Sequence, residues 1–282
     1  MTIFDSIMAT RLTDLDLTRY VEVAPDMTVA DTVGRMADAE QSCALVVRDG
    51  RLAGVFTQRD VLNRVIGRPA DWELPVGSLM NQTSWTLDGN RTVEDGLALM
   101  NQWWVRSIPV VDAEGGLEGN LSYYTIMRLM AKGIADRTST GEPQLRHGLE
   151  LVDFPGLNTA TPVSVSADDT VDVPLHHMRA RAIGSVLVTD ERDNLVGIVT
   201  EWDFLEKVGC SDVDLGTLMT GEIMSTDPVA LAARSPIADA IQQMAERAYS
   251  HIPLLGESGR PVGVASFRDV AAYFEASLPA LT

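Results

Sequence analysis

A hydroxyl and a carboxylate three residues apart recur along this chain. Thr57 precedes Asp60, Thr200 precedes Asp203 and Ser266 precedes Asp269. A fourth copy runs from Ser122 to Thr125, with threonine where the acid would stand. Each hydroxyl follows a glycine by three residues: Gly54, Gly119, Gly197 and Gly263. At a strand-to-helix junction such a pair can hold the vicinal hydroxyls of a sugar. A carboxylate accepts from both, and its charge strengthens each hydrogen bond. The same pair can equally be a helix cap, worth about 1 kcal/mol.

The elements that position these residues also repeat. Val29, Val33 and Met36 are spaced i, i+4, i+7, as are Val93, Leu97 and Met100; Val171, Leu175 and Met178; and Ile237, Ile241 and Met244. This spacing puts three apolar side chains on one helix face. Thr28 and Thr92 each precede such a helix, with an Asp three residues on, a capping-box pattern. Pro174 lies inside the third helical pattern, where an interior proline costs about 3 kcal/mol, so that helix is expected to start later. Between each methionine and its glycine comes an apolar run (44–47, 108–111, 186–188, 252–255) and then turn residues such as Asp49-Gly50. Each unit reads helix, strand, turn, strand, helix, with a short strand before the first helix. The methionines are 64, 78 and 66 residues apart, which groups the units one-two and three-four. The predicted boundaries are 1–70, 71–135, a linker over 136–158, then 159–212 and 213–282.

Each copy resembles a CBS domain, the small βαββα module whose second strand leads through glycine, an apolar pair and Thr or Ser to Asp. The resemblance covers nearly the whole chain. It implies a mixed α/β fold of four CBS units paired into two pseudo-two-fold Bateman modules. These would close into one four-lobed disc or pair with another chain. It also implies adenosine-type ligands in the clefts, with Thr and Asp on ribose and a residue opening the partner's strand on phosphate. Carried over, Thr57 and Asp60 would hold ribose, with Arg106 and Ser107 on phosphate. Thr200 and Asp203 would work with Ser250 and His251. For Ser266 and Asp269 the cross-partner positions are Gly184 and Ser185, which carry no charge. A phosphate there would need Arg268 or a cation from outside the pair, whereas S-adenosylmethionine would tolerate the site as it stands. The Thr125 cleft is expected to be weak. AMP, ADP, ATP, S-adenosylmethionine and dinucleotides, with or without Mg²⁺, all remain open as ligands.

Composition bounds the alternatives. The net charge of −18 excludes a nucleic-acid surface, which needs a basic stripe. It also means that a phosphate ligand must find local cations. No apolar run approaches the roughly 20 residues of a membrane span. The first ten residues lack the charge and apolar run of a signal peptide, and Cys43 and Cys210 are isolated. A reducing cytoplasm is the expected setting, without structural zinc. No P-loop, GxSxG or HExxH motif is present, so no catalytic residues are assigned. The expected role is regulation of a separate protein. The competing readings are a dimerisation module with empty clefts, including a homodimer, and a nucleotide hydrolase.

Overall fold

The computed structural model describes residues 3–82, 85–139, 151, 162–209 and 213–277. Most of the expected linker, and Cys210, lie outside them. Four βαββα units account for nearly all of the described chain. In the first, Val21–Val23 runs parallel to Cys43–Arg48, which pairs antiparallel with Arg51–Thr57. The helix Val29–Asp38 connects the first two strands, and a helix opening at Gln58–Asp60 follows the third. The other units repeat this plan, except that in the second the first strand is reduced to a single parallel bridge between Leu87 and Val110. Their second and third strands are Ser107–Val111 and Leu117–Ser122, Ser185–Thr189 and Leu195–Thr200, and His251–Leu255 and Pro261–Ser266. Register is the same in all four. Gly54 faces Val46, Gly119 faces Val110, Gly197 faces Val188 and Gly263 faces Leu254, and the register shifts immediately after each of these pairs.

The helices form where the apolar spacing places them, at Val29–Asp38, Val93–Trp103, Asp172–Arg181 and Ile237–Arg247. Met36, Met100, Met178 and Met244 are each at most 1% exposed, so truncating any of them to alanine would cost about 2–5 kcal/mol. The Thr28 hydroxyl accepts from the Asp31 amide, and Thr92 forms a full capping box with Asp95. The third helix starts one residue later in the repeat than the others. Pro174 is then its third residue, where no intrahelical N–H bond is lost.

The segments between units dock on their neighbours. Val76 N–H donates to the Met27 carbonyl, and Val55 and Asn81 exchange backbone hydrogen bonds, so residues after 70 complete the first unit. Residues before 20 complete the second. Leu12 N–H reaches the Arg91 carbonyl, and Asn120 N–H reaches that of Leu17. This docking explains three of the repeated glycines: a Cβ on Gly119 would lie 2.5 Å from the Leu17 Cβ. A Cβ on Gly54 would lie 2.7 Å from the Asn81 carbonyl oxygen, and one on Gly197 would lie 2.5 Å from the Met224 sulfur.

Units one and two meet through their sheets. Cys43, Leu45 and Val55 pack there beside Leu52 and Leu117, and Arg51 bridges Gly116. The helices do the rest. Units one and three share one apolar core, and units two and four share another. Across the one-three contact, Arg179 donates to the Leu62 carbonyl at 2.9 and 2.5 Å and to that of Ile66 at 2.8 Å. The two modules therefore close on each other within one chain.

Candidate functional site

Each hydroxyl-acid pair sits at the junction of its third strand and last helix. Thr57 keeps an extended backbone, and its hydroxyl donates to Asp60 Oδ2 at 2.7 Å, which also accepts from Thr57 N–H at 2.9 Å. Thr200 with Asp203 and Ser266 with Asp269 repeat this geometry. In the second unit, Ser122 and Thr125 join hydroxyl to hydroxyl at 3.0 Å, which gives a cap without charge. One oxygen of every acid is thus committed to its own helix.

The second oxygen separates the three acids. Asp60 Oδ1 accepts from Asn81 Nδ2 at 2.9 Å and lies 3.5 Å from Arg64 Nε. Asp203 Oδ1 accepts from Lys207 Nζ at 2.8 Å and Ser225 Oγ at 3.1 Å, and the residue is buried. Asp269 Oδ1 accepts from no described residue. Burial raises the Asp269 pKa; hydrogen bonds from Ser266 and the Arg268 charge only partly offset it. A donor arriving at that oxygen would relieve the carboxylate.

Three clefts lie between paired units. One, of about 220 Å³, brings Thr57 and Asp60 together with Arg106 and Ser107 of the second unit, as the resemblance implies. A second, of about 320 Å³, holds Ser122 and Tyr124 against Ser42. The third is the roomiest, at about 640 Å³, within the range of small-molecule sites. It is lined by Ser266, Asp269, Arg268, Ser250 and His251 of the fourth unit and by Gly184 and Ser185 of the third. Arg59 and Arg106 enter it from the other module. Ser250 and His251 therefore share a cleft with Ser266 and Asp269. Thr200 and Asp203 line none of the three.

The polar centre of the molecule is where these clefts approach one another. Glu201 is 1% exposed and accepts from Gln58 Nε2 at 3.0 Å, Arg59 Nε at 2.8 Å and Arg106 Nη1. Burial alone would raise its pKa, but Arg106 and then Arg59 overcome this and hold it below the ordinary value. His251 stays neutral beside them, its pKa pulled down to about 3 by burial and the Arg106 charge, with its Nδ1 2.9 Å from Ser250 Oγ. Arg268 stacks over the Trp104 ring at 4.8 Å. Three arginines and one carboxylate thus converge in a strongly acidic protein. Gly184 makes room for them, since a Cβ there would come within 2.7 Å of Arg106 Nη2 and the His251 ring. Sequence reasoning missed Glu201, Gln58 and Arg59, which occupy the variable positions between hydroxyl and acid. Their signal was a charged or amide residue in the two positions after the Thr.

Cys43 lines the first cleft, but burial pushes its thiol up to about 12, so it is not a reactive group. Among the described residues, no His, Cys, Asp and Glu cluster could hold a metal, and no helix is long and apolar enough to cross a membrane.

A repeated βαββα fold with a ligand-sized cleft at a paired interface defines a class of regulatory modules. The model of the CBS domain matches residues 12–67, 76–132, 156–209 and 221–276, and the chain belongs to the CBS-domain family. Paired CBS domains are in general regulatory ligand-binding modules. The chain is 22% identical over 299 residues to the meiotically up-regulated gene 70 protein of Schizosaccharomyces pombe, covering 88% of this chain and 41% of that one. It is 24% identical over 279 residues to CBS domain-containing protein CBSCBSPB5 of Arabidopsis thaliana, covering 89% and 50%. The chain thus spans half or less of the length of these two relatives. Among solved structures, a Methanocaldococcus jannaschii protein named a putative archaeal homologue of γ-AMPK superposes with a TM-score of 0.78. The identity is 18%, over 94% of this chain and all of that one. An uncharacterised conserved protein of Pyrococcus horikoshii gives 0.60, also at 18% identity and the same coverage. These likenesses establish the four-unit fold.

Proposed function

We propose that this chain senses an adenosine-containing ligand in the cleft of its fourth unit and passes the signal to a separate protein. One observation carries this reading. Among the described residues, Asp269 offers a carboxylate oxygen with no partner, in the cleft of about 640 Å³ that Arg59, Arg106 and Arg268 also line. Ribose would take the carboxylate, and a phosphate or other tail would point toward the arginines. The fourth unit's cleft would find its missing cations in the opposite module. The Thr57 and Asp60 cleft is a smaller second candidate, because a ribose there must displace Asn81 from Asp60. Thr200 and Asp203 serve their own helix in this reading.

A ligand in the fourth unit's cleft would touch groups from both modules. It can therefore bias their relative orientation, to the extent that its affinity differs between two arrangements. Calorimetry with AMP, ADP, ATP and S-adenosylmethionine, with and without Mg²⁺, tests the assignment. At least one should bind, with the nucleoside recovered intact, and Asp269→Asn should weaken it by about tenfold or more. Binding of none of the four, or binding indifferent to Asp269, would sink the reading in favour of a dimerisation module.

A further inference from the structure

Glu201 stands at the position after the cleft hydroxyl, where the other three units carry Gln58, Tyr123 and Phe267. The fold therefore does not require a carboxylate there; an amide or an aromatic ring serves. Yet this one is almost fully buried and holds Gln58, Arg59 and Arg106 from two other units. A buried ion pair is weak evidence for stability, since desolvation offsets most of its attraction. The two arginines it engages are among those bordering both the first and the fourth-unit clefts. A phosphate tail in either cleft would draw on guanidinium groups already committed to Glu201.

We infer that Glu201 is a specificity-determining residue: a resident carboxylate that disfavours polyphosphate tails and favours ligands whose tail carries little negative charge. The argument is one of charge. Arg59, Arg106, Arg181 and Arg268 supply four positive charges around the fourth-unit cleft, His251 is neutral, and Asp269 and Glu201 remove two, Glu201 directly from Arg59 and Arg106. A tail that recruits Arg106 strips Glu201 of a partner while bringing more negative charge beside it, in a site where low dielectric magnifies repulsion. A neutral, sulfonium-bearing or singly phosphorylated tail can leave the Glu201 pairs in place.

The nucleoside arm of the test rests on the proposed ligand class; the inorganic arm does not. Adenosine, AMP, ATP and tripolyphosphate would be titrated calorimetrically into the unsubstituted chain and Glu201→Gln. The glutamine is the residue that the first unit already carries at this position. ATP and tripolyphosphate should bind the variant about tenfold or more tighter, while adenosine shifts by less than about threefold. Equal shifts for adenosine and ATP, or no gain for tripolyphosphate, would overturn the inference. If neither chain binds adenosine or AMP, the nucleoside reading fails and the tripolyphosphate arm alone decides the role of Glu201. A second measurement needs no variant. Saturating tripolyphosphate should speed amide exchange across residues 201–208 of the unsubstituted chain as the arginines leave Glu201. Bound tripolyphosphate with unchanged exchange would refute the competition.

Discussion

Asp203 and Asp269 share a motif, yet their replacement by asparagine should produce opposite phenotypes. Asp203 accepts four hydrogen bonds: two from Thr200, one from Lys207 and one from Ser225. An amide has one oxygen, so Asp203→Asn must abandon either the helix cap or the Lys207 and Ser225 pair. Losing the cap costs about 1 kcal/mol; losing a charge-assisted bond costs about 1.5–3 kcal/mol. Lys207 is 34% exposed and can rehydrate, which trims the second figure. The expected loss is about 2 kcal/mol. Asp269→Asn can keep its oxygen on Ser266 and turn its amide into the cleft, at a cost below about 1 kcal/mol. Urea unfolding and calorimetry on both variants separate the outcomes. Asp203→Asn should lower the midpoint and leave the affinity of the folded protein alone; Asp269→Asn should do the reverse. An Asp203→Asn protein of normal stability that no longer binds ligand would refute the structural assignment of this residue.

Gly184→Ala should weaken ligand binding more than it weakens the fold, because its Cβ displaces Arg106 and His251; comparing melting temperature with affinity checks this. His251 is neutral when folded, with a pKa near 3 against 6.5 for the free side chain. The unfolded chain binds the extra proton first, so stability falls as pH drops from about 6.5 toward 3. Replacing His251 by Asn should flatten urea midpoints between pH 6.5 and 5. Glu201 adds a second loss in stronger acid: its pKa is held below the ordinary 4.5, so its contribution fades progressively as pH falls from about that value through the lower folded one. Arg179→Met should cost about 2 kcal/mol by freeing the Leu62 and Ile66 carbonyls between modules, measured by denaturant unfolding.

The repeats were legible because each carries its own complete local signal. Met36 and its three counterparts mark a helix face, and Gly54 and its counterparts mark the third strand. The family resemblance assigns Arg106 to binding phosphate because the pattern of one pair supplies that role. Its contact with Glu201 arises from how two modules pack, and no spacing within a unit records that. The closure of Asp60 was equally hidden, since Asn81 lies beyond the repeat that it completes. The boundary drawn at residue 70 followed the motif, whereas the backbone hydrogen bonds of Val76 and Asn81 run back to the first unit.

The docking of residues 12–17 on the second unit also sets an order of events during synthesis. Leu12 is fully buried in the core shared by the second and fourth units, and its backbone partner is Arg91. Leu17 waits for Asn120. A chain emerging from the ribosome, at about 5–20 residues per second, must therefore carry this apolar stretch uncovered until roughly a hundred further residues have followed it. The first unit can be completed once residue 81 has emerged, whereas the second must wait both for Asn120 and for residues 12–17 to fold back onto it.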